Sequence, residues 1–156
     1  MIKPEVLESD EIKRIIGGKA ADYVKDGMVV GLGSGTTVRF TIHSLGQKVA
    51  EGLQIIGVPT SHQTEVLAHH YKIPVVPIED VKQIDLTIDG ADLVDANGNG
   101  IKGKHGAFLK EKMVARLSKK NIWVITENKL AGYLGKVPLP IEILKDSFLV
   151  LNDLSN

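Results

Sequence analysis

The sequence predicts an α/β fold: an open, mostly parallel, Rossmann-like sheet flanked by helices. Short apolar runs bounded by glycine or polar residues alternate along the chain with longer segments of helical periodicity. These runs are continuous in apolar character, as in strands that are buried on both faces of a parallel sheet. Hydrophobic residues make up 43% of the 156-residue chain and charged residues 24%, which is ordinary for a single globular domain.

The first predicted element is an N-terminal helix. Ser9 or Asp10 can cap it, since both side chains accept hydrogen bonds from free backbone N–H groups. Gly27 is expected to end it, because glycine readily adopts the conformations that terminate helices. The helical spacing predicts an inner face made of Ile12, Ile15, Ile16 and Ala20.

Strands and further helices are expected to alternate after this helix. Apolar runs rich in valine and isoleucine predict extended segments at 28–32, 54–58, 73–76, 84–88 and 121–126. The periodic segments between them predict helices near 38–45, from a cap at Thr60 or Ser61 to about 70, and over 107–118. Asn97–Gly100 is a strong turn signal, and the prolines at 138 and 140 favour an extended segment over 138–144.

The charge and cysteine content exclude several classes of partner and chemistry. The 19 basic and 19 acidic side chains balance, so no global positive field favours nucleic acid or an anionic membrane. No apolar run approaches the ~18 residues of a membrane span. Cysteine is absent, which excludes disulfides and thiolate chemistry and fits a reducing cytoplasm. An anionic substrate would therefore need local groups to bind it.

Three polar clusters follow predicted strands, at 33–37, 89–92 and 126–129. In open α/β sheets ligands bind beyond the carboxyl ends of the strands, so these clusters are the candidate site. The first contains Gly33, Ser34, Gly35, Thr36 and Thr37 at a predicted helix start, where free N–H groups and hydroxyls suit a phosphate. The alternative is a glycine-rich turn that binds nothing, because the Walker A lysine and dinucleotide spacings are both absent.

The other two clusters supply charged groups. Asp89 and Asp92 follow an apolar strand and are candidates for acid–base work or for holding sugar hydroxyls, although aspartate is also common in plain turns. Lys129 can offer a point charge to a phosphate, or it can be an ordinary surface lysine.

Glu111 is the candidate base. On a helix it shares a face with Ala107, Val114 and Ala115, and such apolar neighbours raise the pKa of a carboxyl group. The alternative is an exposed ion pair with a flanking lysine. The five histidines show no metal-binding spacing, so no metal is expected.

These clusters, in this order, resemble the ribose-5-phosphate isomerase A family. The resemblance covers about residues 10–144 and rests on segments such as Ile88-Asp89-Gly90-Ala91-Asp92, followed by Ile101-Lys102-Gly103 and by Lys110-Glu111-Lys112. Further matching segments are Asp10–Lys13, Gly31–Thr37, Asn128-Lys129 and Pro138–Glu142. The I-D-G-A-D block, followed by I-K-G and then by E-K on a helix, is specific to this family. The glycine-rich loop alone is not specific to it.

The resemblance implies roles for individual residues. It implies interconversion of ribose 5-phosphate and ribulose 5-phosphate in the pentose phosphate pathway, through an enediolate and without metal or cofactor. Glu111 matches the base, Lys102 matches the lysine that stabilises negative charge, and Asp89 and Asp92 match the pair that opens the sugar ring and moves hydroxyl protons. The positions that match the substrate-binding side, mostly its phosphate end, are Lys13, Gly33, Ser34, Gly35, Thr36, Thr37, Gly103 and Lys129.

The sequence also departs from the family pattern. Lys104 and His105 stand where the family has further glycines, and Phe148–Leu151 does not resemble the family's small C-terminal α/β domain. We therefore expect one sugar-phosphate isomerase domain over 1–145, lacking that small domain, and a tail over 146–156. A cytoplasmic homo-oligomer, preferentially a dimer, is expected. The alternative is a non-catalytic sugar-phosphate-binding paralogue of the same fold, and an amino-sugar-phosphate deaminase is a more distant one.

Overall fold

A computed structural model describes residues 4–104, 106–135 and 137–143, with side chains from residue 10 onward. The predicted tail over 146–156 and His105 lie outside these residues, so the domain boundary at 145 stays a prediction. The described part contains seven strands: β1 (Val29–Leu32), β2 (Ile56–Pro59), β3 (Leu86–Asp89), β4 (Leu93–Asp95), β5 (Gly100–Ile101), β6 (Asn121–Trp123) and β7 (Leu130–Ala131).

The main sheet has four strands in the order β2-β1-β3-β6, and every neighbouring pair is parallel. The predicted parallel α/β fold is confirmed. The two central strands are almost wholly buried, because both faces of the sheet are covered. Their residues are mostly apolar, and Thr87 and Asp89 of β3 are the polar exceptions. The carboxyl ends of β1, β2 and β3 therefore meet at one edge of the sheet.

A second, three-stranded sheet in the order β5-β4-β7 was not predicted. Strand β4 is antiparallel to β5 and parallel to β7. The strands of this second sheet have only two or three residues each, which is too short for a periodic pattern to appear in the sequence. The predicted turn at Asn97–Gly100 joins β4 to β5, so this signal was correct although the flanking strands were missed.

Four helices pack against the sheets in the described residues: α1 (Pro4–Ala21), α2 (Val38–Ala50), α3 (His62–His70) and α4 (Phe108–Leu117). Ser61 caps α3 as predicted, and its hydroxyl accepts the Thr64 backbone N–H at 3.2 Å. No helix in the described part of the chain is long and apolar enough to cross a membrane.

The prediction for α1 was partly wrong. The helix begins at Pro4 rather than after Ser9 or Asp10, as expected for proline, which needs no backbone N–H in a first turn. Ile12 and Ile15, predicted to face inward, are 51% and 56% exposed, whereas Ile16 packs against the core and Ala20 is buried. The inner face of α1 is thus narrower than its apolar residues suggest.

Candidate active site

A cleft of about 730 Å³ opens at the carboxyl edge of the main sheet. Its walls come from the loop after β1, the start of α3, the loop after β3 and the segment from residue 102 to α4. Apart from Asp89 and Lys13, all the predicted site residues line it: Gly33, Ser34, Gly35, Thr36, Thr37, Asp92, Lys102, Gly103, Glu111 and Lys129. The topology thus brings together clusters that are far apart in sequence.

Asp89, the last residue of β3, is fixed by backbone donors. Its Oδ1 atom accepts the Ser34 N–H at 3.0 Å and the Gly90 N–H at 2.7 Å, and the side chain is buried. Position 33 must be glycine for this approach, because a Cβ atom there would lie only 2.2 Å from Asp89 Oδ1. The glycine-rich loop therefore aims the aspartate in addition to any role in binding a ligand.

Lys102 bridges two buried carboxyl groups. Its Nζ atom lies 3.0 Å from Asp89 Oδ2 and 3.1 Å from Glu111 Oε1, and it also donates a hydrogen bond to the Gly90 carbonyl oxygen. Asp89 is only 3% exposed and Glu111 only 6%. Two carboxylates this deeply buried need a shared cation, since an unpaired buried charge is strongly unfavourable.

Burial raises the pKa of Glu111, and the nearby charge of Asp89 raises it further, whereas Lys102 acts in the opposite direction. Burial also raises the pKa of Asp89, against the lowering effect of Lys102. The alternative in which Glu111 is exposed and pairs with a flanking lysine is wrong: Lys110 and Lys112 are exposed, and Glu111 instead contacts Lys102. A carboxyl group with a raised pKa in a cleft has the properties of a general base.

The start of α2 forms another wall of the cleft. Gly35 has φ +117°, a conformation that favours glycine, and the loop then enters the helix after Thr37. The Thr37 hydroxyl is buried, and Oγ1 has no hydrogen-bond partner among the described residues. A buried hydroxyl without a partner at a helix start is well suited to an anionic or hydroxylated ligand.

Ser34 has a different environment from the one expected. Its hydroxyl lies within a cluster of other hydroxyls, 2.8 Å from Thr60 Oγ1, 2.8 Å from Ser61 Oγ and 3.2 Å from Thr64 Oγ1. Its N–H is already bound to Asp89. Ser34 thus joins the β1 loop to α3 and helps to hold Asp89, and its role in contacting a ligand stays a prediction.

Further positive charge lies in the cleft beside the loop after β3. Lys129 is half-buried and donates to the Ala91 carbonyl oxygen at 2.7 Å. Burial lowers the pKa of Lys129; Asp92 opposes this, and the charges of Lys102, Lys13 and Lys104 add to it. Although Lys13 forms an ion pair with Asp10 at 3.5 Å and does not line the cleft, its charge still acts there.

Asp92 holds the segment that carries the family's lysine. Its Oδ2 atom accepts the Lys104 N–H at 3.0 Å, and its own N–H donates to the Ile101 carbonyl oxygen at 2.8 Å. Gly103 has φ +104°, which lets the chain turn toward α4. A Cβ atom added at position 103 would lie 3.1 Å from the Phe108 Cβ atom. In the described part of the chain, no group of three or more histidine, aspartate or glutamate residues could hold a metal ion.

The sequence reasoning missed two groups of residues near this site. Thr60 and Ser61 were considered only in relation to helix capping and Thr64 was not considered, yet all three form the hydroxyl cluster around Ser34. They follow β2, so the rule that places ligands at strand carboxyl ends would have found them. Trp123, whose ring lies near Lys102, was read only as part of a strand.

The fold and the site together define a Rossmann-like α/β protein whose cleft combines a buried acid–lysine–acid cluster with two further lysines, Lys104 and Lys129. A sequence profile described as ribose 5-phosphate isomerase A (phosphoriboisomerase A) matches residues 56–154. The chain belongs to this family.

Individual relatives and solved structures support the same family. Ribose-5-phosphate isomerase A of Listeria monocytogenes serotype 4b is 55% identical over 132 residues, which are 85% of this chain and 59% of that protein. A solved ribose-5-phosphate isomerase in complex with phospho-erythronic acid superposes with a TM-score of 0.86 at 39% identity, over 93% of this chain and 65% of its own. The structure of ribose 5-phosphate isomerase A from Methanocaldococcus jannaschii superposes with a TM-score of 0.86 at 34% identity, over 93% of this chain and 66% of its own. This chain thus spans about three fifths of the length of the bacterial relative.

Proposed function

We propose that this chain interconverts ribose 5-phosphate and ribulose 5-phosphate through an enediolate, in the cytoplasm. The observation that carries the proposal is the buried Asp89–Lys102–Glu111 cluster beside a cleft with several lysines. Family membership supports the same reaction. The cluster offers a base and a cation at one point, and Lys129 and the start of α2 offer groups that can bind an anion in the same cleft.

In the proposed mechanism, Glu111 removes the proton from C2 of the open-chain aldose. The C2–H electron pair forms the C1–C2 double bond of the enediolate, and the carbonyl π electrons move onto the C1 oxygen. Lys102 stabilises that negative charge from within hydrogen-bond reach. The proton of the C2 hydroxyl then moves to the C1 oxygen, and the C2 oxygen forms the new carbonyl. At the same time the electrons of the C1–C2 double bond take the proton back from Glu111 at C1, which gives the ketose. The change is redox-neutral, so the steps require no oxidant or reductant.

The contacts of Lys102 suit this sequence. In the free protein its ammonium is shared between Asp89 and Glu111. When Glu111 takes up a proton it loses its negative charge, and one N–H of Lys102 becomes free at the moment when charge develops on the substrate. Asp89, which is held by two backbone N–H groups, is proposed to assist ring opening together with Asp92 and to move hydroxyl protons.

A non-catalytic sugar-phosphate-binding role is the second candidate, and the segment after Lys102 favours it. Lys104 brings a side chain to the cleft wall where the family has glycine. The deciding experiment is direct turnover of ribose 5-phosphate by this chain, with binding measured in parallel. Tight binding without turnover would establish the binding module, and turnover would establish the isomerase.

We expect ribose 5-phosphate to bind far more tightly than ribose, by at least about 100-fold, because two or more charge-assisted contacts depend on the phosphate. Lys129→Gln should weaken binding of the phosphate ester about tenfold and leave the affinity for ribose unchanged. Lys119→Gln is the control, because it removes an exposed lysine that pairs with Asp85 and does not line the cleft. Equal affinities for the two sugars would refute a phosphate site here.

Exhaustive EDTA treatment is expected to leave turnover unchanged, because Lys102 supplies the positive charge that a metal would otherwise provide. The measurement is turnover before and after chelation, with Mg²⁺, Mn²⁺ and Zn²⁺ added back separately. A loss that one of these ions restores would show that Asp89 and Asp92 act as metal ligands.

The chain is expected to form a dimer in solution. Several large apolar side chains near the C-terminal end of the described residues are exposed: Leu130, Val137, Leu139, Ile141 and Ile143. Neighbouring exposed apolar side chains of this size favour association, and two-fold assemblies are the commonest kind. Light scattering gives the mass directly; a monomer at micromolar concentration would contradict the expectation, and a tetramer would show that further contacts exist.

A further inference from the structure

We infer that Trp123 is a positioning residue that keeps the Lys102 ammonium directed at the cleft. The inference rests on the proposed isomerase function and deepens it. Trp123 ends β6, directly beside Asp89 in the parallel pairing of β3 with β6. Lys102 Nζ lies over the indole ring, 5.4 Å from its centroid, within the range of a cation–π interaction.

The indole is itself held in place from two sides. Its Nε1–H donates to the Gly98 carbonyl oxygen at 3.2 Å. Gly100 packs against the ring so closely that a Cβ atom there would lie 3.3 Å from ring carbon Cζ2. The ring is thus a fixed surface that the turn between β4 and β5 supports, and Lys102 rests against it.

A second cavity explains why such a surface is needed. This rear cavity, of about 240 Å³, is lined by Trp123, Phe108 and Asn121 together with Asp89, Lys102 and Glu111. Lys102 and Glu111 line both the rear cavity and the cleft, and so stand between the two spaces. A lysine has a long flexible stem, and beside this space its ammonium has room to swing away from the cleft.

Lys102 needs this support most during the reaction. In the resting site, Asp89, Glu111 and the Gly90 carbonyl oxygen all accept from Lys102. Protonation of Glu111 removes one of these anionic partners, and the ammonium is then less firmly held. The indole face still attracts the cation, so the ammonium stays over the ring and beside Asp89, where Lys102 borders both spaces and the freed N–H can reach the enediolate.

The test compares Trp123→Leu with Trp123→Phe. Leucine keeps apolar volume but removes the aromatic face, so kcat should fall about tenfold while KM stays within about twofold. Phenylalanine retains an aromatic face and should restore kcat to within about threefold of the wild type. Tyr23→Leu is the matched control, because it removes a remote cation–π pair with Lys120 at 5.3 Å and should not change kcat. Melting temperatures identify any variant that is not folded at the assay temperature.

Fluorescence gives a readout that does not need turnover. Trp123 is the only tryptophan of the chain, so the indole emission reports on this residue alone. Lys102→Met should shift that emission, since a unit charge beside the ring disappears, whereas Lys120→Met should not. Wild-type kcat in Trp123→Leu, an equal loss in the leucine and phenylalanine variants, or emission unaffected by Lys102→Met would each overturn the inference. Failure of the wild type to convert ribose 5-phosphate would instead refute the proposed function, while the emission test would still decide the contact.

Discussion

Glu111→Gln is expected to lower turnover of ribose 5-phosphate by at least about 10²-fold, the lower end of the contribution of a general base. Glutamine keeps the shape of the side chain and can still accept a hydrogen bond from Lys102, but it cannot remove the C2 proton. Substrate affinity should change little, because the phosphate is proposed to bind to the start of α2 and to Lys129 and not to Glu111. Steady-state kinetics and ligand titration of the same preparation measure both quantities.

The neighbouring lysines provide the controls. Lys110→Gln and Lys112→Gln change exposed residues on the same helix, and turnover should stay within about twofold. The pH dependence is a further check: since the pKa of Glu111 is raised, turnover of the wild type should fall as acidity protonates this group. Near-normal turnover of Glu111→Gln would remove Glu111 as the base and the proposed mechanism with it.

The parallel sheet and the location of the site could be predicted because both depend on short-range signals. Continuous apolar runs identify buried strands, and the carboxyl ends of parallel strands necessarily share one edge. Asp89 and Gly33 illustrate this: each follows or ends a strand in the sequence, and in the fold they touch. The apolar neighbours of Glu111 on one helix face made it a candidate but left an exposed ion pair open, and the match to the family's base favoured the first interpretation. Its burial agrees with that interpretation.

The contacts within the site could not be predicted in the same way. Nothing in the spacing of Asp89, Lys102 and Glu111 shows that one ammonium bridges both carboxyl groups, because the bridge depends on how three separate elements pack. Strands β4, β5 and β7 are too short to give a pattern, and their hydrogen bonds come from tertiary packing. Likewise, the sequence shows Trp123 only as a strand residue, because its contact with Lys102 depends on how the two segments pack.

Lys102→Met is expected to have the second large effect, and it acts on both turnover and stability. Removing one donor that stabilises a developing oxyanion typically costs about 10²–10³-fold in kcat, and we expect a loss of that size. Methionine preserves the apolar length of the side chain but leaves Asp89 and Glu111 buried without their shared cation. Breaking a buried ion pair in this way typically destabilises a protein by about 3–5 kcal/mol, and we expect the free energy of unfolding at neutral pH to fall by a similar amount.

The pH dependence of that loss has a definite sign. The pKa values of Asp89 and Glu111 are already raised in the folded protein, mainly by burial, and without Lys102 they should rise further. The folded state then binds more protons than the unfolded state, so the free energy of unfolding decreases as pH rises from the unfolded pKa values near 4 toward the folded ones. Lys102→Met should therefore be less destabilising at pH 5 than at pH 8.

Lys119→Met provides the matched control on a different lysine–aspartate pair. Lys119 contacts Asp85 at 2.8 Å in a more exposed setting, and its hydrogen bond lowers the pKa of Asp85. Since the pKa of Asp85 is lowered, that pair contributes stability above the unfolded pKa and loses it only in stronger acid. The cost of Lys119→Met should be below about 1 kcal/mol and nearly constant from pH 5 to pH 8. Urea unfolding of both variants at the two pH values measures the difference, and a pH-independent loss in Lys102→Met would show that Lys102 does not hold the two carboxylates in their charged forms.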